Sequence, residues 1–355
     1  MTRAHLLILL GALAGARLSA QVPASKTRKV SPPTSSSLTV APRRPVTGSL
    51  VRLSIRRASR PGDSLATVTG EMAGEALHFY PDSTGCLRSL GAVPLEASDS
   101  VVARVTLAFA SGATETLRTA IHVPHRRAAG AARARRRRLR VDRIFTAPPD
   151  TLVEARVARE NELARELGKR SHETPRLWTQ PFERPRSSRI TSGFGAGRMF
   201  NGRLTSSHAG IDFRGRPGDP VLASNRGVVV FVGSFFLAGN VVYVDHGAGV
   251  VTGYFHLTQA TVVEGDTVQR GQEIGLVGAT GRVTGPHLHW SARYGALTVN
   301  PMGLVALTGG KVATSSGRRT RGRTTSSGRA SLRVNPAYAG GVRGPIIKRP
   351  ITGKP

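Results

Sequence analysis

The pattern of apolar and polar positions divides the chain into two β-rich regions joined by one helical region. Between residues 49 and 123, short runs such as 50–55 and 101–109 alternate apolar and polar residues, and Gly, Asp and Ser separate the runs. A period of two turns one face of each run towards a core, and repeated short strands with turn signals are typical of a sandwich. The pattern predicts a small β-sandwich over residues 48–124, and we expect it to act as an accessory domain.

A helical pattern begins near Thr151, which stands three positions before Glu154 in the spacing of a capping box. The apolar positions that share one face of the predicted helix are Val153, Val157, Ala164 and Leu167. Gly168 and the two basic residues after it are expected to close the helix. We predict a basic linker and helix over residues 125–176, in which the helix braces the two β-rich regions.

The second β-rich region covers residues 177–307. Runs of β-branched residues, such as 227–233 and 240–247, alternate with closely spaced glycines that allow tight turns. The region shows no βαβ pattern of a nucleotide-binding fold. The predicted fold class is therefore mainly β, with a carboxy-terminal domain of antiparallel sheets after the sandwich and the connecting helix.

The first twenty residues have the features of a secretory signal peptide. Arg3 precedes an apolar run at residues 6–14, which is too short to span a bilayer and is followed by small residues. Cleavage is expected after Ala16 or Ala20, and a retained anchor is the alternative. The sequence predicts export to the periplasm, the cell envelope or the medium, with no transmembrane helix after signal cleavage.

Residues 21–47 and 308–355 are predicted to be disordered, because Pro, Ser, Thr, Gly and basic residues dominate them. The formal charge is +30, from 51 Lys plus Arg against 21 Asp plus Glu, and it is concentrated in an Arg-rich run at 133–143 and in the tail. Such an excess attracts polyanions, so we expect contacts with anionic envelope polymers through the basic segments. No motif of a nucleic-acid-binding module accompanies them, so no specific nucleic acid is expected. The oligomeric state is left open.

Potential metal ligands concentrate in three short motifs of the second region. The single cysteine, Cys86, excludes a zinc site built from several thiolates, so a metal site must use histidines and carboxylates. The motifs are Ser207-His208-Ala209-Gly210-Ile211-Asp212, Gly253-Tyr254-Phe255-His256-Leu257 and Gly285-Pro286-His287-Leu288-His289-Trp290. In a strand, His287 and His289 share one face. His246, by contrast, is interpreted as a structural residue at the end of a strand.

The first motif requires a bend before its two polar residues can reach one ion. A fully extended strand separates residues four apart by roughly 13 Å, and Gly210 lies where a bend is easiest. A site with imidazole and carboxylate ligands and no thiolate suits zinc, and three protein ligands would leave a fourth position open, which implies catalysis.

In order and spacing, these motifs resemble the zinc endopeptidases of the lysostaphin or LytM type, which cleave peptide bonds in peptidoglycan. The resemblance covers residues 190–304 and also includes the glycine hairpin 265–278, Thr280-Gly281 and Asn300-Pro301. It implies one zinc ion per chain, with His208, Asp212 and His289 as the metal ligands. It also implies that His256 and His287 are the catalytic histidines that do not bind the metal. Their acid and base roles, and the peptide bond that is cut, are left open.

Three other functions are considered beside this one. The main alternative is a noncatalytic protein that binds the cell wall or activates a hydrolase with the same fold, but such a protein would be expected to lack ligands. A carrier domain of the lipoyl or biotinyl type is disfavoured because the turn at residues 279–282 has no lysine. Binding of nucleic acid is disfavoured as above. Within the enzyme hypothesis, Arg198 and Asn201 are candidate substrate contacts.

Overall fold

The computed structural model describes residues 35–58, 60–124, 137–145, 150–202 and 204–309. These residues belong to one compact unit. The predicted signal peptide, residues 21–34 of the predicted linker, residues 133–136 of the Arg-rich run and nearly all of the predicted tail lie outside the described residues.

The amino-terminal region folds into two packed sheets. Its strands are β1 (Ser37–Ala41), β2 (Leu50–Arg56), β3 (Leu65–Met72), β4 (Glu75–Ala76), β5 (Tyr80–Pro81), β6 (Leu87–Ala92), β7 (Ser100–Phe109) and β8 (Thr114–His122). One sheet has the order β1-β2-β6-β5 and the other β4-β3-β7-β8, both antiparallel. Alternate residues of β2 and β7, among them Leu53 and Val105, meet in a shared buried core. The predicted sandwich is therefore present.

Strand β1 begins the sandwich earlier than the sequence predicted. It lies inside the range 21–47 that was interpreted as a disordered linker, and that interpretation is wrong for residues 37–41. The strand pairs with β2 from Ser37 opposite Arg56 to Ala41 opposite Arg52. Five residues between prolines and serines carry little hydrophobic signal of their own, and the strand forms because the edge of β2 supplies its backbone hydrogen bonds.

The connecting region contains a strand and a helix. Strand β9 (Arg137–Leu139) pairs in parallel with a later strand at residues 197–200, and this pairing was not predicted. Helix α1 (Thr151–Arg170) was predicted, but its N-cap is Asp150, whose carboxylate accepts a hydrogen bond from the N–H of Val153 at 2.8 Å. The predicted capping box was thus displaced by one residue, because a carboxylate at the preceding position serves the same free N–H groups.

Helix α1 packs with its predicted face towards the second domain. Ala164 and Leu167 are buried, and Gly168 lies so close to the loop at Gly295 that an added Cβ would be 2.0 Å from the carbonyl oxygen of Gly295. The helix continues past Gly168 to Arg170, so this glycine permits close packing and is not a terminator.

The carboxy-terminal domain is built mainly from antiparallel strands. They are β10 (Ile190–Ser192), β11 (Gly197–Phe200), β12 (Leu204–Ser207), β13 (Ile211–Arg214), β14 (Pro220–Leu222), β15 (Gly227–Phe235), β16 (Gly239–Gly247), β17 (Val250–Ala260), β18 (Thr267–Val268), β19 (Glu273–Val277), β20 (His287–Tyr294) and β21 (Leu297–Val299). The main path of the large sheet is β10-β13-β20-β17-β16-β15-β18. Strands β14 and β19 pair with each other, and β19 also pairs with β17. Short helix α2 (Met302–Thr308) follows.

The two domains share a buried seam. Leu50 and Leu90 of the sandwich pack with Trp178, Tyr294 and other residues of the second domain in one apolar cluster. The hydroxyl of Tyr294 donates a hydrogen bond to the carbonyl oxygen of Ala76 at 2.7 Å. The sandwich is therefore fixed against the end of β20 that lies away from the histidine motif.

The predicted fold class, mainly β with antiparallel sheets and a connecting helix, is confirmed. No helix within the described ranges is long and apolar enough to cross a membrane.

Candidate metal centre

Two of the three predicted metal ligands are direct neighbours on adjacent strands. Asp212 on β13 is paired in register with His289 on β20. Residues directly opposite each other in an antiparallel pair have Cβ atoms about 4.5–5.5 Å apart and project on the same side of the sheet. The pairing register therefore brings the carboxylate and the imidazole together, although 76 residues separate them in the sequence.

His208 reaches the same point from the loop that precedes β13. The chain bends at Gly210, the position where the sequence predicted a bend. An added Cβ at Gly210 would lie 2.4 Å from the carbonyl oxygen of Trp290 and 2.6 Å from Nε2 of His289. A side chain at this position would therefore collide with the centre itself, and glycine allows the backbone to pass close enough for His208 to return to Asp212.

The three side chains form a compact triangle of potential ligand atoms. Nε2 of His208 lies 2.9 Å from Oδ1 of Asp212 and 2.8 Å from Nδ1 of His289, and the last two atoms are 2.9 Å apart. All three residues are buried. Among the described residues, this is the group of His, Cys, Asp and Glu side chains that has the geometry to hold a metal ion.

The hydrogen bonding of His208 leaves a lone pair aimed into the triangle. Its Nδ1 lies 2.9 Å from the carbonyl oxygen of Gly193, which only accepts, so this nitrogen carries the proton. When the ring is neutral, Nε2 then presents a lone pair to the carboxylate of Asp212. Acceptors that face one another in a buried site repel, and a divalent cation among them removes the repulsion.

The donor set fits zinc. Two imidazoles and one carboxylate are usual zinc ligands, and a tetrahedral ion with bonds of about 2.0–2.1 Å separates its ligand atoms by roughly 3.3–3.4 Å. The observed separations are a few tenths of an ångström shorter, a difference that small side-chain rotations accommodate.

The charge state of the triangle agrees with this chemistry. Burial by itself raises the pKa of Asp212, but its close contacts with the imidazoles of His208 and His289 outweigh burial and hold this pKa well below its usual range. The second carboxylate oxygen forms an ion pair with Arg198. Burial lowers the pKa of His289 to about 4 against the raising effect of Asp212. At neutral pH the aspartate is thus ionised and His289 is neutral, as metal binding requires.

The two predicted catalytic histidines lie beside the triangle. The ring centroids of His256 and His287 are 4.9 Å apart, and Nε2 of His287 is 3.7 Å from Oδ1 of Asp212. Nδ1 of His256 donates to the carbonyl oxygen of Thr280 and Nδ1 of His287 to that of Gly285, each at 2.8 Å. In the neutral rings, both Nε2 atoms are therefore free to accept a proton.

His256 is held in an unusual backbone conformation. It lies where the register of β17 against β16 shifts, and its φ of +62° is in the left-handed region that non-glycine residues seldom adopt. Thr280 supports it: the Thr280 hydroxyl donates to the carbonyl oxygen of Leu257 and accepts from the N–H of Asn240. Burial, followed by the charges of His287 and His289, lowers the pKa of His256 well below its ordinary value. The ring is therefore neutral at neutral pH.

A cleft of about 250 Å³ opens beside Asp212 and His287. Its walls include Arg198, Arg214 and Arg282, and Asp212 is the only acid among the described residues that line it. The sequence reasoning missed Arg214 and Arg282. A signal for Arg214 was available, because it stands two positions after Asp212 on a strand and so shares its face.

Two other polar residues have structural contacts. Asn201 was a candidate substrate contact, but its side-chain amide donates to and accepts from the backbone of Val141 at 2.9 and 3.1 Å. It therefore fastens the segment that carries β9. His246, interpreted as structural, is fully buried and lies outside the triangle, with Nδ1 donating to the carbonyl oxygen of Arg226 at 2.8 Å.

Acid is expected to destabilise the protein partly through His246. Burial lowers the pKa of His246 to about 4, whereas an unfolded histidine titrates near 6.5. Between these values the unfolded state binds more protons, so the free energy of unfolding falls as the pH falls. From pH 7 to pH 5 this residue should account for about 2 kcal/mol.

The measurement is urea unfolding of the wild type and of His246→Gln at both pH values. The variant should be less stable at pH 7, but its loss of stability on acidification should be smaller than that of the wild type by about 2 kcal/mol. Equal losses in the two proteins would mean that His246 is not the group that titrates.

Comparison with known proteins gives one matching family. Residues 206–301 match the family model described as Peptidase family M23. The match includes the triangle and both neighbouring histidines, and it confirms the resemblance predicted from the motifs.

Two named relatives match part of the chain. The protein is 44% identical over 115 residues to peptidoglycan DD-endopeptidase ShyA of Vibrio cholerae. This alignment covers 32% of this chain and 27% of the relative. It is 47% identical over 95 residues to DD-carboxypeptidase/endopeptidase Mpg of Neisseria meningitidis. This alignment covers 27% of this chain and 22% of the relative. The match thus spans about a quarter of the length of these curated relatives.

A solved structure extends the likeness to the fold of both domains. The crystal structure of a Pseudomonas aeruginosa protein assigned to peptidase M23 aligns with a TM-score of 0.55 and 22% identity, over 74% of this chain and 95% of that one. At this identity, the likeness concerns the fold alone.

Proposed function

We propose, from the match of residues 206–301 to peptidase family M23, that the protein is a zinc-dependent endopeptidase that hydrolyses peptide bonds in the stem peptides or cross-links of peptidoglycan. One observation carries the proposal: three potential ligand atoms within 2.9 Å of one another lie beside two histidines whose Nε2 atoms are free. Both relatives are named for DD-endopeptidase activity, which supports a peptidoglycan peptide bond as the substrate.

We assign His208, Asp212 and His289 as ligands of one zinc ion. When bound there, zinc would supply a Lewis acid for the scissile carbonyl and lower the pKa of a water molecule from about 16 towards about 7. Arg198 holds Asp212 through the carboxylate oxygen that faces away from the two imidazoles. Phe255 stacks on the ring of His289, with an interplanar angle of 12°, and so fixes its orientation.

His256 and His287 provide the proton transfers that hydrolysis needs. The described centre has no glutamate to act as a base, and a neutral imidazole with a free Nε2 accepts a proton from the attacking water. The same proton, or one from the second ring, then passes to the leaving amine. A ring that is not transferring a proton is placed to donate a hydrogen bond to the negatively charged oxygen that develops on the scissile carbonyl. The order of the two roles is not assigned.

The exported location belongs to the same proposal. A peptidoglycan substrate requires the enzyme outside the cytoplasmic membrane, in agreement with the signal peptide predicted at residues 1–20. The basic segments at 133–143 and after residue 310 would add attraction to anionic envelope polymers.

The test uses the purified full chain and isolated cell walls of several types. We expect about one zinc ion per chain, release of new amino groups and peptide ends from the walls, loss of release after chelation, and recovery on addition of zinc. A protein that carries stoichiometric zinc and binds walls without releasing peptide ends would instead be a noncatalytic wall-binding protein, and the enzyme proposal would fail.

A further inference from the structure

The cleft beside the metal centre has an excess of positive charge, because more arginines than acidic residues line it. Arg198, Arg214 and Arg282 line it, and Asp212 is the only acid among its described lining residues. Arg198 already pairs with Asp212. With Asp212 further engaged in the metal centre, the charges of the other two arginines have no acid within the described wall of the cleft.

The guanidinium of Arg282 has no anionic partner among the described residues. Its Cζ lies 4.2 Å from the centroid of the Phe200 ring, and no hydrogen bond or ion pair of its side chain occurs within the described part of the chain. Burial, followed by the nearby charge of Arg198, lowers the pKa of Arg282. Phe200 is buried and supports the guanidinium through this contact, so less side-chain freedom remains to be lost when an anion binds.

The position of Arg282 is also fixed by its backbone. Gly281 has φ +73°, and an added Cβ there would lie 2.4 Å from the backbone nitrogen of Gly239. The N–H of Arg282 donates to the carbonyl oxygen of Leu237 at 2.9 Å. The turn that carries Arg282 directly follows Thr280, whose carbonyl orients His256. One turn therefore carries Arg282 and orients His256 through the carbonyl oxygen of Thr280.

Arg214 faces the cleft from the other strand. It lies two residues after Asp212 on β13 and pairs in register with His287 on β20. Its side chain is exposed, and no ion pair involving it occurs among the residues that the structure describes. A group bound between Arg214 and Arg282 would lie beside His287 and Asp212, at the edge of the reacting centre.

We propose that Arg282 and Arg214 form a carboxylate-binding subsite that selects peptides with a free carboxylate close to the scissile bond. The proposal rests on the proposed function, because it names which peptidoglycan peptides the enzyme prefers. A guanidinium presents parallel N–H donors that match a carboxylate, and such charged hydrogen bonds are stronger than neutral ones. The carboxylate has two sources: an acidic side chain beside the cleaved bond, or the carboxy terminus of the peptide.

The test uses the full chain loaded with zinc and two pairs of synthetic stem-peptide dimers. In the first pair the side-chain carboxylate beside the cleavage site is free or amidated, and in the second pair the terminal carboxylate is free or amidated. The proteins are the wild type, Arg282→Gln, Arg282→Lys and Arg214→Gln, with Arg216→Gln as a matched control. Arg216 is exposed, lies just beyond β13 and is outside the cleft.

The wild type should show a kcat/KM about tenfold or more higher for the free carboxylate in one of the two pairs, and that pair identifies the source. Arg282→Gln and Arg214→Gln should bring this ratio towards one, mainly through a higher KM. Arg282→Lys should keep part of the ratio, and Arg216→Gln should keep all of it. A wild-type ratio of one in both pairs, or a full ratio in both glutamine variants, would overturn the subsite.

The same peptides separate failure of the subsite from failure of the proposed function. Cleavage of all four peptides at equal rates refutes the subsite and leaves the endopeptidase standing. If the wild type cleaves none of them, the proposed function fails, and calorimetric affinities of the uncleaved peptides decide the subsite. An affinity that does not depend on the carboxylate refutes it. A tenfold preference that Arg214→Gln removes supports it, and because Arg214 is exposed, its replacement leaves the core intact.

Discussion

Replacing His289 with alanine is expected to remove the bound metal and to lower hydrolysis of peptidoglycan about a thousandfold or more. Nδ1 of His289 is one of three potential ligand atoms in the triangle, and the remaining pair, His208 and Asp212, would offer only two ligands. Two ligands from one short segment of the chain hold zinc weakly compared with three. Metal analysis after dialysis should find close to no zinc in His289→Ala and about one ion in the wild type.

The matched control is His122→Ala. His122 is an exposed histidine at the end of β8 in the sandwich, so its loss removes an imidazole without touching the metal centre. This variant should keep both zinc and activity. If His289→Ala retained stoichiometric zinc, His289 would not be a ligand and the assignment of the triangle would be wrong.

Replacing His256 is expected to have the opposite signature, with full metal content and a kcat about a hundredfold to ten-thousandfold lower. The replacement should be asparagine, because position 256 has φ +62° and asparagine tolerates the left-handed region better than alanine does. His256→Asn thus removes the Nε2 that accepts a proton while it preserves the backbone of β17. KM should change much less than kcat, since the ring is assigned to the chemical step.

Zinc analysis, steady-state kinetics on a soluble peptidoglycan fragment and thermal unfolding would be measured together for His256→Asn. A variant that unfolds at the wild-type temperature and binds zinc, yet turns over normally, would exclude His256 as a proton-transfer group. Loss of zinc in this variant, with zinc retained in His289→Ala, would show that the two histidines have exchanged roles.

The His289 and His256 variants together would distinguish the residues that bind the metal from those that transfer protons. His287 lies between the two groups, since its Nε2 is 3.7 Å from Asp212 and its ring is 4.9 Å from that of His256. If replacing a residue of the triangle lowers the zinc content and replacing His287 does not, His287 lies outside the coordination sphere.

Local sequence patterns predicted some elements well and others poorly. The apolar face of helix α1 and the alternation of β2 and β7 were readable, because a helix or a strand repeats its burial over many residues. Strand β1 and strand β9 were missed, because each is short and owes its existence to the edge of a partner strand. The N-cap was displaced by one residue, since Asp150 and Thr151 are both good capping residues and only the backbone decides between them.

The sequence identified the residues of the candidate site but not their arrangement in space. Spacing identified the H-x-x-x-D and H-x-H motifs and the bend at Gly210. It could not assign Arg198 to Asp212, attach Asn201 to Val141 or bring Arg282 beside the centre, because these contacts join strands and loops that no local pattern relates.

The sequence by itself determined which side chains are available for chemistry: histidines and an aspartate at strand spacing, and a glycine where a side chain would block their approach. Only the tertiary structure decided that they meet, because the register of β13 against β20 sets Asp212 opposite His289. Shifting that register by one residue would turn one of the two side chains to the other face of the sheet and leave no triangle.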